Sequence, residues 1–377
     1  MTEHQNDPTS SRGGGTDCER RSAGSVTLDT AAMDAARQRW ATRAKPPGAL
    51  SDLEDLGVQL AGVTGRCPPP IPGRPAVALF AGDHGVVRSG ASAWPQEITA
   101  AMVATIAAGG AAINAFATVV GAEVTVVDVG VATPLPTGPP SAAVGSAPTD
   151  GAPPATTVLD RRVRPGTGDL SVEPAMSTDE ATTAVEVGRS VAADLIDGGV
   201  DCLVGGEMGI GNTTPSAALI AACTGLPPTE LTGPGAGTPV DGLDHKQRLI
   251  ETGLARAGAA VDRPLDLLAE LGGLEIAALV GLQMETAERR IPFVVDGVIA
   301  LAALCVADRL TPGTASLAIA GHRSAEPAAT AALDHLGLRP LLDLRLRLGE
   351  GTGATLAIPL IQAAATALSN MADLPAG

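Results

Sequence analysis

The sequence predicts an α/β fold built on a doubly wound parallel sheet. Short apolar runs without polar alternation recur along the chain, and such runs are typical of strands that are buried on both faces. They are AVALFAG at 76–82, EVTVVDVG at 123–130, DCLVGG at 201–206, IPFVVDG at 291–297 and ASLAIAGH at 315–322. Most of them precede a longer Ala-rich helical pattern, and this alternation of strand with helix implies a parallel sheet.

Helical patterns outside this alternation predict a second, smaller domain. Two of them lie around residues 29–43 and 50–64, and a proline-rich stretch ends the second. Residues 241–290 are helical throughout, and one more long helix is predicted near the end of the chain. Packed together beside the sheet, these segments would form a small helical domain.

The predicted organisation has six segments and one insertion. Residues 132–157 are rich in Pro, Gly, Ala and Ser without periodicity, which predicts a flexible exposed insertion. The polar, glycine-rich start predicts a disordered tail rather than a signal peptide. The segments are a tail at 1–27, helices of the small domain at 28–70, the parallel α/β domain at 71–240, a helical segment at 241–290, the α/β domain continued at 291–350, and a C-terminal helix of the small domain at 351–377.

Composition restricts the classes of partner. The 377 residues carry a net charge of −16, and basic residues form no cluster, so nucleic acid and anionic membranes are poor partners. Residues 98–122 are uncharged and long enough to span a bilayer, but their Ala, Gly and Thr content predicts a buried helix. Five scattered cysteines without metal-ligand spacing indicate reduced thiols and a cytoplasmic protein.

Two glycine-rich loops are the strongest candidates for a binding site. GGEMGIGNTTPSAAL at 205–219 follows a predicted strand and enters a helix. Backbone N–H groups at such a junction favour anions. The second loop, TGPGAGTPVDGLDHK at 232–246, ends in Lys246, whose ammonium can meet the same anion. Tight turns alone would also explain the glycines. Neither loop has the dinucleotide fingerprint, which argues against an oxidoreductase.

Histidines beside acids are weaker candidates. Asp83 and His84 in FAGDHGV can act as an acid/base pair, or they can position their loop by hydrogen bonds. We predict no metal site, because no clustered set of metal ligands is present. Asp244 and His245 fit a solvated helix face. His322 and Arg323 end a strand and would either meet the substrate or cap the next helix.

Glu350 in RLGEGTGATLA lies between two glycines just before the last long helix. A carboxylate near a helix N-terminus is stabilised by the helix dipole and can cap the helix. A cap needs no glycine on either side, however. Flanking glycines allow another molecule to approach closely, which favours an acid that faces the substrate.

These loops together identify a family resemblance. FAGDHGV, ASAWPQEITAAMV, GGEMGIGNTTPSAAL, TGPGAG, LDHK, AGHRSAEPA and LGEGTGATLAIPL occur in an order that closely resembles nicotinate-nucleotide-dimethylbenzimidazole phosphoribosyltransferases, the enzymes of lower-ligand assembly in cobalamin synthesis. The resemblance covers roughly residues 28–370. It implies a Rossmann-like α/β domain, a small helical domain made from both chain ends, and a homodimer. It also implies transfer of phosphoribose from nicotinate mononucleotide to 5,6-dimethylbenzimidazole, giving α-ribazole 5′-phosphate and nicotinate, without a cofactor.

The resemblance also implies roles for single residues. Glu350 matches the general base that takes the azole proton. A second set matches the residues that hold the mononucleotide, namely Glu207, Gly209, Ile210, Gly211, Asn212, Thr213, Gly235 and Lys246. A third set matches the pocket of the acceptor base, namely Asp83, Ser92, Trp94, Gln96 and Leu348.

One departure leaves the choice of acceptor open. The family commonly has tyrosine where this chain has Trp94, and tyrosine is absent from the chain. Trp keeps a flat apolar wall and a donor but lacks the hydroxyl. The acceptor is therefore dimethylbenzimidazole, another benzimidazole or a purine. A nucleotide-binding regulator of the same fold without turnover is the alternative function, although an intact Glu350 argues against it.

Overall fold

A parallel sheet forms the centre of the computed structural model, which describes residues 24–135, 156–237 and 239–374. The strand order is β3-β2-β1-β4-β5-β6, and every neighbouring pair is parallel. The chain moves outward from β1 to one side and from β4 to the other, so the topology reverses between these two strands. Ligands of open α/β sheets bind at the carboxyl ends of the strands at such a point. The strands are β1 (Pro75–Gly82), β2 (Glu123–Gly130), β3 (Thr157–Asp160), β4 (Cys202–Met208), β5 (Phe293–Val295) and β6 (Ala318–Ala320).

Helices cover both faces of this sheet. The described residues also contain two 3₁₀ turns, Gly85–Ser89 and Gly258–Asp262. The helices are α1 (Thr30–Thr42), α2 (Asp52–Thr64), α3 (Ile98–Ala107), α4 (Ala112–Val120), α5 (Thr178–Asp197), α6 (Thr213–Thr224), α7 (Pro228–Leu231), α8 (Val240–Ala257), α9 (Pro264–Leu271), α10 (Leu274–Glu288), α11 (Val298–Leu310), α12 (Thr314–Leu317), α13 (Pro327–Leu336) and α14 (Thr352–Asn370).

Strand β1 shows why the sheet is buried on both faces. Its side chains alternate between two hydrophobic clusters, with Ala78 and Phe80 in one and Val77 and Leu79 in the other. The first cluster contains α5, α9, α10 and α11, and the second contains α3, α4 and α14. The parallel, doubly wound α/β sheet predicted from the sequence is confirmed.

Three strand and helix predictions need correction. β3 was not predicted, because its four residues are mostly exposed and give no apolar signal. Ala315–Leu317 were predicted as strand but lie in α12, so that β6 begins only at Ala318. The single buried helix predicted at 98–122 is two helices, α3 and α4, separated around Gly109, whose φ of 78° ends the first. The capping box of Ser177 and Glu180 is confirmed at the start of α5.

The helices at the two chain ends pack together. Ala36 and Trp40 of α1, Val58 of α2 and Leu368 of α14 share a small hydrophobic cluster. The helices of 241–290 lie elsewhere, because α9 and α10 pack against α5 on a face of the sheet. The division into domains, including a small domain built from both chain ends, stays a prediction.

Residues 24–27, which were predicted to belong to the disordered tail, are part of the fold. The backbone N–H of Val26 donates to the carbonyl of Pro312 at 3.0 Å, and Arg290 donates to the carbonyl of Thr27 at 3.0 Å. The remainder of the predicted tail, residues 1–23, and most of the predicted insertion, residues 136–155, lie outside the described residues.

Two segments are long and apolar enough, by length and composition alone, to cross a membrane: Ile98–Val120 and Thr352–Asn370. The first is interrupted between α3 and α4. The second is α14, whose residues Ala354, Ile358 and Ile361 are buried in the cluster beneath the sheet. Both segments thus pack against the sheet in the fold.

Candidate active site

The carboxyl ends of β1 and β4 place the first site residues side by side. Phe80 of β1 pairs with Glu207 of β4, and Ala81 pairs with Met208. Asp83 and His84 therefore leave the sheet next to the glycine-rich loop that follows β4. This edge is where the topology reverses, so a ligand site is expected here.

Glu207 is a buried carboxyl group at this edge. Its Oε2 accepts a short hydrogen bond from Asn212 Nδ2 at the start of α6. The pKa of Glu207 is raised to about 8, mainly by burial and in addition by the nearby carboxylates of Glu275, Asp296 and Glu350, against the effect of the Asn212 hydrogen bond. Glu207 therefore holds its proton to much higher pH than an ordinary carboxyl group.

The glycine-rich loop after β4 is fixed from two sides before it enters α6. The backbone N–H of Ile210 donates to Thr99 Oγ1 at 3.1 Å. Asn212 is the residue that precedes the helix, and its amide is engaged by Glu207. The hydroxyl of Thr213, the first residue of α6, accepts a hydrogen bond from Lys246 Nζ at 2.8 Å.

Lys246 connects this loop to the second glycine-rich loop. Its Nζ also donates to the carbonyl of Gly233 at 2.8 Å, while the backbone N–H of Gly235 donates to Glu326 Oε1 at 2.8 Å. Burial lowers the pKa of Lys246 to about 8, although the carboxylate of Glu326 opposes this effect. One cation thus ties together the two predicted anion loops.

Glu350 has an unusual backbone conformation. Gly349, Glu350 and Gly351 have φ values of 85°, 62° and 82°, all left-handed. Two of these positions suit glycine, whereas a Glu in this region costs about 1–2 kcal/mol. A Cβ on Gly349 would lie 2.2 Å from Glu207 Oε1. Both glycines are therefore required by the conformation of the turn, and Gly349 also by its close approach to Glu207, independently of any ligand.

The carboxylate of Glu350 does not cap the helix that follows it. The residue preceding α14 is Gly351, and no side chain caps the helix. Glu350 Oε2 instead accepts from the backbone N–H of Ile113, at the start of α4, at 3.4 Å. Burial raises the pKa of Glu350, and the Ile113 N–H opposes this rise.

A cleft opens beside these groups. It brings together seven of the predicted site residues: Glu207, Gly209, Ile210, Asn212, Thr213, Gly235 and Leu348. Gly211, Lys246 and Glu350 do not line the cleft. Lys246 donates to the lining residue Thr213, and Glu350 follows the lining residue Gly349. Sequence patterns did not single out Ser324, Glu326 or Arg347, which also line it. His322, which the sequence offered either as a substrate contact or as a cap, lines the cleft with its Nε2 3.3 Å from Asp296 Oδ1.

The residues predicted for the acceptor-base pocket lie apart from this lining, except for Leu348. Trp94 is half exposed, and its Nε1 donates to the carbonyl of Ala236 at 2.9 Å. Ser92 accepts from the backbone N–H of Trp94, and Gln96 lies near Gly166. Trp94 therefore reaches the rim of the cleft, because Ala236 lines it.

Asp83 and His84 match the positioning role that the sequence left open. Asp83 is fully buried, and its Oδ2 accepts from the backbone N–H of Ala132 at 2.8 Å. Burial raises the pKa of Asp83, against hydrogen bonds from Thr99 and Ala132. His84 Nε2 lies 2.7 Å from Glu275 Oε1. Neither side chain lines the cleft.

The class of protein follows from three features together. They are the reversal of strand order, the two glycine-rich loops joined by a lysine, and the buried set of carboxyl groups. These define an α/β enzyme of the nucleotide-binding class. The profile of a phosphoribosyltransferase family matches residues 26–376. A nicotinate-nucleotide–dimethylbenzimidazole phosphoribosyltransferase of Salinispora tropica is 48% identical over 359 residues, which cover 94% of this chain and 96% of the relative. The chain belongs to this family of phosphoribosyltransferases.

Two further comparisons agree. The Chloroflexus aurantiacus protein of the same name is 47% identical over 92% of this chain and 93% of its own length. The crystal structure of the protein of that name from Thermus thermophilus superposes with a TM-score of 0.83 at 43% identity, covering 92% of this chain and 97% of that chain. The resemblance stated from the sequence motifs is confirmed.

Proposed function

We propose that this enzyme transfers the phosphoribosyl group of nicotinate mononucleotide to 5,6-dimethylbenzimidazole, giving α-ribazole 5′-phosphate and nicotinate. The observation that carries the proposal is the position of Glu350. Glu350 is held in a strained left-handed turn and follows Gly349, which packs against Glu207 and lines the cleft. Such strain suits a group that is retained for chemistry rather than for stability.

The two glycine-rich loops hold the mononucleotide in this proposal. Asn212 and Thr213 at the start of α6 line the cleft, and the N-terminus of a helix favours a phosphate group. Lys246 adds a positive charge behind Thr213 and Gly235, both of which line the cleft. Glu207, which burial keeps protonated near neutral pH, can donate a hydrogen bond to a ribose hydroxyl.

The chemistry needs one base and no acid. A ring nitrogen of the acceptor attacks C1′ while the bond from C1′ to the pyridinium nitrogen breaks. Nicotinate leaves as a neutral pyridine, so its departure requires no proton. The azole N–H proton passes to Glu350, whose burial raises its pKa and makes it a better base than an exposed carboxylate.

The acceptor base is proposed to bind between Glu350 and the segment that carries Ser92, Trp94 and Gln96. Leu348 is 56% exposed and Trp94 is 50% exposed, so both offer apolar surface at the rim. A flat heteroaromatic ring would cover that surface. Asp83 is proposed to support this pocket from below through its bond to Ala132.

We also propose a cytoplasmic homodimer that uses no cofactor and binds neither membranes nor nucleic acid. Four cysteines, Cys67, Cys202, Cys223 and Cys305, are free thiols among the described residues, which suits a reducing compartment. The acidic balance of 41 carboxyl against 25 basic side chains disfavours binding to polyanions.

One assay tests the proposed turnover against a regulator that only binds nucleotide. The protein is incubated with nicotinate mononucleotide and dimethylbenzimidazole, and released nicotinate is measured by chromatography. We expect release that depends on both substrates and that Glu350→Gln suppresses. Binding of the mononucleotide without any nicotinate release would favour the regulator.

A further inference from the structure

His84 and Glu275 form a buried pair at the base of the loop that follows β4. His84 Nε2 lies 2.7 Å from Glu275 Oε1, and the two side chains are 1% and 0% exposed. His84 comes from the loop after β1, whereas Glu275 is the second residue of α10. The pair thus joins the loop after β1 to a helix packed on the sheet.

The glycine-rich loop rests directly on this pair. A Cβ on Gly209 would lie 3.2 Å from His84 Nε2 and 2.3 Å from the carbonyl oxygen of Gly82. On the opposite side, a Cβ on Gly273 would lie 2.5 Å from His84 Cε1 and 2.7 Å from Glu275 Oε2. The pair therefore fills a space that both neighbouring glycines leave open.

The negative charge of Glu275 changes the pKa values of carboxyl groups near the site. Its Oε2 is buried and has no hydrogen-bond partner among the residues that the structure describes. The Glu275 carboxylate raises the pKa values of Glu207 and Asp83. Burial works against the charged form of His84, but the Glu275 carboxylate raises the pKa of His84 overall. A charged imidazole at His84 lowers the pKa of Asp83 and so opposes the effect of Glu275 there, and by Coulomb's law it counters the charge of Glu275 at other nearby groups.

We propose that His84 and Glu275 are positioning residues, an imidazolium–carboxylate pair that supports the Gly209–Asn212 loop and sets the charge experienced by Glu207. The inference rests on the proposed use of that loop to hold the mononucleotide. It assigns no proton transfer to the pair itself. The other charged groups that face the pair or Glu207 are Asp83, Asp296 and Glu350.

The two members of the pair should act in opposite directions. Glu275→Gln removes a negative charge near Glu207, so Glu207 ionises more easily. His84→Gln keeps an N–H donor but removes the positive charge, so Glu275 is left uncompensated and Glu207 ionises less easily. A single charge beside a buried carboxyl group shifts its pKa by about 1–3 units. If the pair only filled space, the two variants would not shift the pKa of Glu207 in opposite directions.

The experiment measures the dissociation constant of nicotinate mononucleotide against pH by calorimetry, for the full-length protein. The pH-dependent change in affinity that is due to ionisation of Glu207 is identified by its absence in Glu207→Gln. We expect its midpoint to fall by roughly 1 pH unit in Glu275→Gln and to rise by roughly 1 pH unit in His84→Gln. The double variant should return to near the wild-type midpoint. Unchanged midpoints, or shifts in the same direction, would overturn the proposal.

A second measurement keeps the inference testable if a single variant does not fold. Nitrogen NMR of the free wild-type protein reports the protonation of the His84 ring. We expect the ring to stay an imidazolium at pH values above the ordinary pKa of histidine, because the Glu275 carboxylate raises the pKa of His84. A neutral ring would overturn the inference. Because this readout needs no substrate, failure of the proposed function, seen as absent mononucleotide binding in the wild type, is distinguishable from failure of the pair.

Discussion

Glu350 Oε2 lies 3.4 Å from the backbone nitrogen of Ile113, so the carboxylate of the strained turn faces the start of α4 and not the helix that follows it. Helix N-termini stabilise negative charge, which partly offsets the burial that raises the pKa of Glu350. The contact explains how a buried carboxyl group can remain available as a base.

Replacing Glu350 by glycine should separate stability from activity. Glycine adopts φ of 62° without strain, and the change removes a buried carboxyl group. We expect a melting temperature at or above the wild-type value together with loss of turnover. Calorimetry and nicotinate release on one preparation check both. A large fall in melting temperature would show instead that Glu350 stabilises the turn.

Adding a methyl group at Gly349 should damage the site. A Cβ there would lie 2.2 Å from Glu207 Oε1, in addition to the strain of φ 85°. Gly337→Ala is the matched control, because Gly337 has φ of 67° and no atom within 4 Å of the added Cβ. The control should lose about 1–2 kcal/mol of stability and keep its activity.

Gly349→Ala should lose more stability than the control and most of its turnover. Thermal unfolding and nicotinate release measure the difference. Equal losses of stability in the two variants, with turnover retained in both, would show that Gly349 serves only its own backbone conformation.

Lys246→Met should weaken use of the mononucleotide. The ammonium joins Thr213 to Gly233, and a charge-assisted bond to phosphate is worth about 1.5–3 kcal/mol. We expect KM for nicotinate mononucleotide to rise roughly 10- to 100-fold while KM for the acceptor base changes little. Lys45→Met is the control, since Lys45 is partly buried and paired with Glu54 at 2.7 Å, and neither residue lines the cleft.

An increase in the KM of the acceptor base alone would place Lys246 in a different site. A rise in both KM values for Lys45→Met as well would indicate general loss of structure. Steady-state kinetics at fixed pH, with each substrate varied in turn, distinguishes these results.

Glu207 should make the folded state less stable at higher pH. Its pKa is raised from 4.5 to about 8, so between these values the folded protein binds a proton that the unfolded chain releases. Stability therefore falls as pH rises through this window, by about 1.4 kcal/mol for each pKa unit. Glu207→Gln keeps an oxygen to accept from Asn212 and removes the proton.

We expect Glu207→Gln to be more stable than the wild type at pH near 8 and to differ little near pH 4. Urea unfolding at several pH values measures this. Glu123→Gln changes an exposed position of β2, and the dependence of its stability on pH should parallel that of the wild type. A pH profile of Glu207→Gln that also runs parallel to the wild type would mean that Glu207 titrates normally.

The sheet was predictable because strands buried on both faces leave long apolar runs in the sequence. β3 left none, since an exposed edge strand of four residues, TVLD, buries too little to need them. The limits of β6 were misplaced for a related reason, because the apolar residues of α12 continue directly into the strand.

The site was predictable where glycines flank a polar residue, as at Glu207 and Glu350. Glu275 and Asp296 carried a weaker signal, an acid in an otherwise apolar stretch such as LGGLEIAALVG. Their approach to Glu207 depends on packing between distant elements, which spacing along the chain does not encode. The glycines that flank Glu350 were interpreted as room for a ligand, which stays a prediction. The structure adds another reason for Gly349, because a Cβ there would collide with Glu207.

The most direct test of the account is Glu350→Gln. The amide keeps the shape and can still accept from Ile113, but it cannot take the azole proton. We expect unchanged melting temperature, unchanged affinity for both substrates, and kcat lower by about 10²- to 10⁴-fold. Because ionised Glu350 is the active form, the wild-type rate should fall as pH drops through its raised pKa, and the variant should lack that acidic limb. A stable Glu350→Gln enzyme with wild-type kcat would contradict the account.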